Sequence, residues 1–327
     1  MELTELYEIE EKKRQALLDR DFSQYHKLGQ EIYKKTLGTS LHYNKTADAS
    51  LDVTKTWISR RLIKDVSKTA ASGPRHRVDL QGLERQCREF VEGLLAVDLS
   101  GVKVVRIKDS YEVAEGLSLP CAKNRHLVVL PPEDDEDILR DVIVHEFGHA
   151  AEFVLRRKDD KREQIGSYRF LAETIAHFCQ FSFLIQHGTT AERLNVLGSV
   201  TRDYLLLKAV LATRALNPQR EKFDVHQVLG RPELSDFLSV YGQEQIKNIL
   251  LSFQGAEVSV LHGVYAEARM GAVLAIRLLG DVQSVRKLCT VKSDIPIRQI
   301  LINMGLDAAE LLSFSDADSW LRRFVHG

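Results

Sequence analysis

Residues 141–155 read DVIVHEFGHAAEFVL, and this segment restricts the fold more than any other part of the chain. Val142, Ile143, Val144, Phe147 and Ala150 make it apolar nearly all round, which suits a helix buried in a core rather than one lying on a surface. Into that apolar run are set His145 and His149, four apart, with Glu146 beside the first: the pattern HExxH. One helical turn puts both imidazoles on one face, able to share a tetrahedral Zn²⁺, and leaves Glu146 where it can take a proton from metal-bound water. With 11 His and 24 Glu in 327 residues, the number of such matches expected by chance is about 0.03. Two unpaired histidines in a core are costly, and a metal satisfies both.

A third protein ligand is needed, and its type sorts the zinc peptidases. The extension HExxHxxGxxH would require Gly at 152 and His at 155, where the chain has Glu152 and Leu155, so that class is excluded. A carboxylate from the next helix is the alternative. The segment SYRFLAETIAHFCQFSFL (167–184) offers Glu173 amid Phe170, Leu171, Ile175, Ala176 and Phe178, where a carboxylate must be paired or metal-bound. Asp159, Asp160 and Glu163 are rivals, but they sit in the hydrophilic stretch RRKDDKREQ, where solvation accounts for them. His177, one turn beyond Glu173, shares its face and can support a ligand or substitute for one.

The rest of the pattern frames this pair of helices. Residues 2–37 have helical periodicity with a break at Asp21 and Ser23, which predicts a helical hairpin. SGPRHR at 72–77 reads as an exposed loop and sets a soft boundary between an N-terminal helical region, 1–75, and a catalytic domain, 76–327. Val102 to Ile107 and His126 to Leu130 are β-branched runs, with a third strand between them, and predict a small antiparallel sheet over about 102–130. Pro131, Pro132 and EDDED then start a helix expected over about 134–156, followed by a second at 167–186 and further helices to the C-terminus. The fold class expected is mainly α with a small sheet, α+β.

Charge narrows the function. With 45 Lys+Arg against 46 Asp+Glu there is no basic field to gather phosphates, which argues against nucleic-acid binding. The N-terminus lacks the n- and h-regions of a secretory signal, and apolar stretches such as Gly271 to Leu279, broken by Arg277, fall short of a membrane span. The default compartment is the cytoplasm, with export by a specialised system leaving no mark of this kind. Cys87, Cys121, Cys179 and Cys289 form no CxxC pair and are expected to be reduced, buried thiols.

HEFGHA with a Glu 24 residues after the second His resembles the thimet oligopeptidase and oligoendopeptidase F family of zinc metallopeptidases, of gluzincin type. The resemblance covers about residues 100–310 and is strongest over 140–182. It implies a zincin-like catalytic domain, with zinc on His145, His149 and Glu173. It also implies a downstream helix carrying a histidine and tyrosines that bind substrate and stabilise the oxyanion. The matching segment, VLHGVYAEARMGAVLAI, offers Tyr265 for that role, with His262 as helper and Arg269 one turn beyond Tyr265 to receive an oxyanion or a substrate carboxylate. Further tyrosines of the family pattern are replaced around Arg269 and Ala272. Family members are about twice as long and roof a deep channel, whereas this chain has only about 95 residues before its sheet.

The activity expected is therefore zinc-dependent hydrolysis of a peptide or protein substrate with Glu146 as general base, the substrate backbone adding a strand to the sheet edge. The alternatives are a metal-stabilised helical interaction module without turnover, or a protease specific for one partner with the N-terminal region as its targeting element.

Overall fold

The computed structural model describes residues 1–45, 58–67, 79–107, 116–133, 135–217, 219, 222–254, 266–292, 294–313 and 316–326. Helices α1 (Leu3–Leu18) and α2 (Phe22–Thr36) pack on each other through Ile9, Ala16 and Leu28. The break between them is made by Asp21, whose carboxylate caps α2 by accepting from the Gln24 N–H at 3.0 Å. Helices α3 (Arg60–Val66) and α4 (Leu80–Leu95) follow, and α3 buries Leu62, Ile63 and Val66 in the main core. The loop expected at 72–77 lies outside the described residues.

Strands β1 (Lys103–Arg106), β2 (Leu117–Leu119) and β3 (Leu127–Leu130) form one sheet in the order β1-β3-β2. The sheet is mixed, which corrects the antiparallel arrangement expected from the sequence. β1 runs parallel to β3, with Lys103 opposite Leu127, and β2 runs antiparallel to β3, with Ser118 opposite Val128. The cause is the apolar character of β3, every residue of which is buried. Leu127 and Val129 pack with Leu17 of α1 on one face, and Val128 and Leu130 join the main core on the other. A strand needing cover on both faces takes the middle, so the chain ascends β1, descends β2 and re-enters between them.

Beyond the sheet the fold is helical. Helix α5 (Glu136–Arg157) is capped by Asp135, which accepts from the N–H groups of Asp137 and Ile138, and has acids in its first turn and Arg156 and Arg157 in its last, matching the helix dipole. A short α6 (Arg162–Ile165) leads to α7 (Arg169–His187) and the long α8 (Thr190–Leu216), the latter started by a Thr189–Glu192 capping box. Helices α9 (Val225–Leu229), α10 (Ser235–Tyr241), α11 (Gln243–Phe253), α12 (Glu267–Arg277), α13 (Val282–Leu288), α14 (Ile297–Asn303), α15 (Ala308–Ser313) and α16 (Ala317–His326) complete the chain. Among the described residues no helix is long and apolar enough to cross a membrane. All four cysteines are buried and free.

Helix α7 is the spine of the site. It lies between α5 and α12, and glycine sets both distances. A Cβ on Gly148 of α5 would sit 2.6 Å from the Ala176 Cα, and one on Gly271 of α12 would sit 2.9 Å from the Glu173 Cβ. The C-terminal end of α5 is fixed by two buried arginines. Arg156 donates to Glu152 at 2.7 Å and to the carbonyls of Gln164, Leu288 and Val291. Arg157 grips both carboxylate oxygens of Glu10 and the Ala122 carbonyl, which ties α1 to α5 and to the turn between β2 and β3. Each buried charge therefore has a partner and satisfied donors, the condition under which burial is tolerated.

Candidate metal centre

His145 and His149 project from one face of α5 toward Glu173 on α7. The Glu173 Oε2 lies 3.5 Å from the His145 Nε2 and 3.8 Å from the His149 Nε2, and one donor atom from each of the three falls within 4.8 Å of the others. Two nitrogens and a carboxylate oxygen about 2.0–2.1 Å from a tetrahedral zinc would be about 3.3 Å apart, so the two spacings to Glu173 need only a few tenths of an ångström of adjustment. The donor set, two imidazoles and one carboxylate, is also one that zinc takes when a position is left for water or substrate. Asp159 and Asp160 are turned to Lys161 and Lys123 instead.

Electrostatics hold the three together. Burial pushes the Glu173 carboxyl upward, but the hydrogen bond from His145 and the charges of His149 and His145 outweigh it and hold Glu173 well below the usual carboxylate range. Burial lowers His145, and Glu173 more than reverses that, so His145 is raised. His177 lies beside them rather than among them. Its ring meets that of His145 edge to face with centroids 4.6 Å apart and stacks on Phe181. Its Nδ1 lies 3.0 Å from the Gln180 Oε1, its Nε2 has no partner among the described residues, and burial keeps it well below the ordinary histidine value.

Glu146 is buried, and its Oε2 has no hydrogen-bond partner among the described residues. Its backbone carbonyl accepts from the Ser118 hydroxyl at 2.8 Å, which clamps β2 to the centre of α5. Gly116, just before β2, has φ +95°, and a Cβ there would come within 3.0 Å of the Glu146 Oε1. A glycine thus leaves the carboxylate room, and the sequence signalled it only as a strand-initiating residue. Gly116, Leu117 and Ser118 line a cleft of about 740 Å³ that also contains Glu146, His145, His149 and Glu173.

Arg269 of α12 lines the same cleft, and its guanidinium donates to the Asp203 Oδ2 of α8 at 2.7 Å. Asp203 was missed in the sequence; the signal was an acid within the apolar stretch of α8. Tyr43 was missed too. It lines the cleft and donates to Glu152 at 2.8 Å, held there because Lys45 pairs in parallel with Tyr168 at the start of α7. His262 and Tyr265 lie outside the described residues. The Cys121 thiol is turned away, donating to Glu11.

No family model, curated protein or solved structure matches the chain, which leaves the geometry and chemistry of the centre as the basis for assigning a function.

Proposed function

We propose that the protein is a zinc-dependent peptidase with a zincin-like catalytic domain, similar in its motif to the thimet oligopeptidase and oligoendopeptidase F family. The observation that carries this is the convergence of His145, His149 and Glu173 beside a buried Glu146 carboxylate whose Oε2 has no partner among the described residues, all in one open cleft. A zinc ion held by these three would supply Lewis-acid polarisation of a carbonyl and of a water. Glu146 accepts a proton from the attacking water as its oxygen bonds to the scissile carbonyl carbon, then passes that proton to the amine as the C–N bond breaks. The substrate backbone lies against β2, which is an edge of the sheet among the described residues and borders the cleft. Arg269, which lines the same cleft in its ion pair with Asp203, would receive a substrate carboxylate or the oxyanion, with Tyr265 and His262 proposed as its companions.

The test is elemental analysis of purified wild type, Glu146→Gln and Glu173→Ala, together with cleavage of a mixed peptide library. The reading expects one zinc in wild type and Glu146→Gln, weakened binding in Glu173→Ala, and cleavage by wild type alone. Absence of zinc from folded protein never exposed to chelator would overturn it. Zinc with no cleavage of any peptide or protein would favour the metal-stabilised interaction module.

A further inference from the structure

We propose that the groove between the α1–α2 hairpin and β2 binds an acidic, extended segment of the same substrate that the cleft cleaves. The proposal rests on the peptidase reading of the cleft and adds the chemical class of substrate.

Continuity is the first observation. Leu117 lines both the metal cleft and a second depression of about 430 Å³ formed with α1 and α2. Its neighbour Gly116 is the residue whose Cβ would come within 3.0 Å of the Glu146 carboxylate. Leu117 pairs with Val129 and faces α1, whereas Gly116 and Ser118 face Glu146 of α5, so the groove and the cleft lie on the two faces of one edge strand. An extended peptide added to the β2 edge turns alternate side chains to the two faces, one set toward the cleft and the other toward the groove.

The lining gives the sign of the ligand. Lys13 and Lys34 face the groove with the rings of Tyr25 and Tyr33, and no carboxylate lines it among the described residues. The Lys13 ammonium sits 4.8 Å over the Tyr25 ring, and Tyr33 is 53% exposed. Lys34 has no ion-pair partner among the described residues; Glu10 acts on Lys13 but is itself gripped by Arg157, and Glu11 pairs with Arg14 and Arg125. Cations beside aromatic faces suit an extended segment carrying Asp or Glu with an aromatic residue.

Gly29 is the third observation. It stands in the interior of α2, where glycine weakens a helix, and its backbone needs no positive φ. A Cβ there would meet only the end of the Lys13 side chain, at an ordinary 3.6 Å. Packing therefore does not require the glycine; its missing side chain leaves the groove open.

The experiment uses the full chain with zinc. Labelled peptides with a common randomised core and either Glu-Asp-Phe-Glu or Lys-Ser-Phe-Lys tails, at either end, are titrated into Glu146→Gln protein by fluorescence anisotropy. The acidic-tailed pool is expected to bind about fivefold tighter, with its tail at one end only. Gly29→Leu, which fills the groove and strengthens the helix, and Lys34→Glu, on the exposed surface, are each expected to remove that preference. Equal binding of both pools, or a preference that survives both variants, would overturn the proposal. Cleavage of the tail-free core by wild type reports separately on the peptidase reading, so the two failures are distinguishable.

Discussion

Gly148 of α5 faces Ala176 of α7 so closely that any Cβ on the glycine would sit 2.6 Å from the Ala176 Cα. This crossing sets the distance between the helix carrying His145 and His149 and the helix carrying Glu173. Gly148→Ala must push the helices apart or distort both. The expected result is a loss of about 1–3 kcal/mol in stability, as for other overpacked cores, with zinc affinity reduced because the Glu173 Oε2 retreats from both imidazoles. Thermal unfolding and a zinc titration of the variant check it; unchanged affinity would mean that the crossing does not set the donor spacing.

The coupling of His145 to Glu173 has a definite pH dependence. In the metal-free protein His145 is raised, so its contribution to stability is present below the unfolded histidine value, about 6.5, and is lost as pH rises through its folded value. Glu173 is depressed, so its contribution is present above the unfolded carboxylate range and is lost progressively as pH falls from there toward its folded value. Zinc bound as proposed would reverse the sign at His145, because a ligand must be deprotonated. The metal-free protein should therefore lose melting temperature as pH rises through the His145 transition, while the stabilisation from added zinc grows over the same range. At a free zinc concentration of about a hundred times its dissociation constant the gain is about 2.7 kcal/mol. Glu173→Ala should abolish most of it, as read by unfolding at several pH values with and without metal.

Asp141, one turn before His145, is pushed up to about 7 by burial, and its Oδ1 has no partner among the described residues. A carboxyl raised in the folded state stabilises most when both states are protonated, and costs stability as pH rises from its unfolded value to its folded one. Asp141→Asn is thus expected to stabilise the protein above pH 7 by more than about 1.4 kcal/mol, the worth of one pKa unit. The gain should vanish near pH 4. A gain independent of pH would show that packing rather than ionisation is responsible.

The helices and the donor pattern were legible because they rest on local rules. The acidic start and basic end of α5, the break at Asp21, and one helical turn between His145 and His149 are all written within a few residues of each other. What was not legible depends on partners distant in sequence. The parallel pairing of β1 with β3 follows from cover supplied by Leu17 on one face and the main core on the other. The pairing of Arg269 with Asp203, and of Tyr43 with Glu152, joins residues 66 and 109 positions apart, and no periodicity encodes either. The roles of Gly116 and Gly148 appear only when the neighbouring helix or carboxylate is in place.

Gly116 gives the sharpest test of the proposed base. Its φ of +95° disfavours any side chain, and its missing Cβ is the space beside the Glu146 Oε1 and Val142. In Gly116→Ala the new methyl meets Val142 Cγ1 at 2.8 Å and the carboxylate at 3.0 Å, so either β2 or the Glu146 side chain must move. A base displaced by about 1 Å loses on the order of a hundredfold in rate. The proposed zinc donors His145 and His149 flank Glu146 on α5 and Glu173 is on α7, and none of the three is among the atoms nearest the new methyl, so metal content should stay near one per chain. The expected signature is a fall in kcat with zinc retained and KM changed far less, measured on a cleaved peptide from the library. Full activity in this variant would show that the Glu146 carboxylate does not take the proton from the position it occupies here.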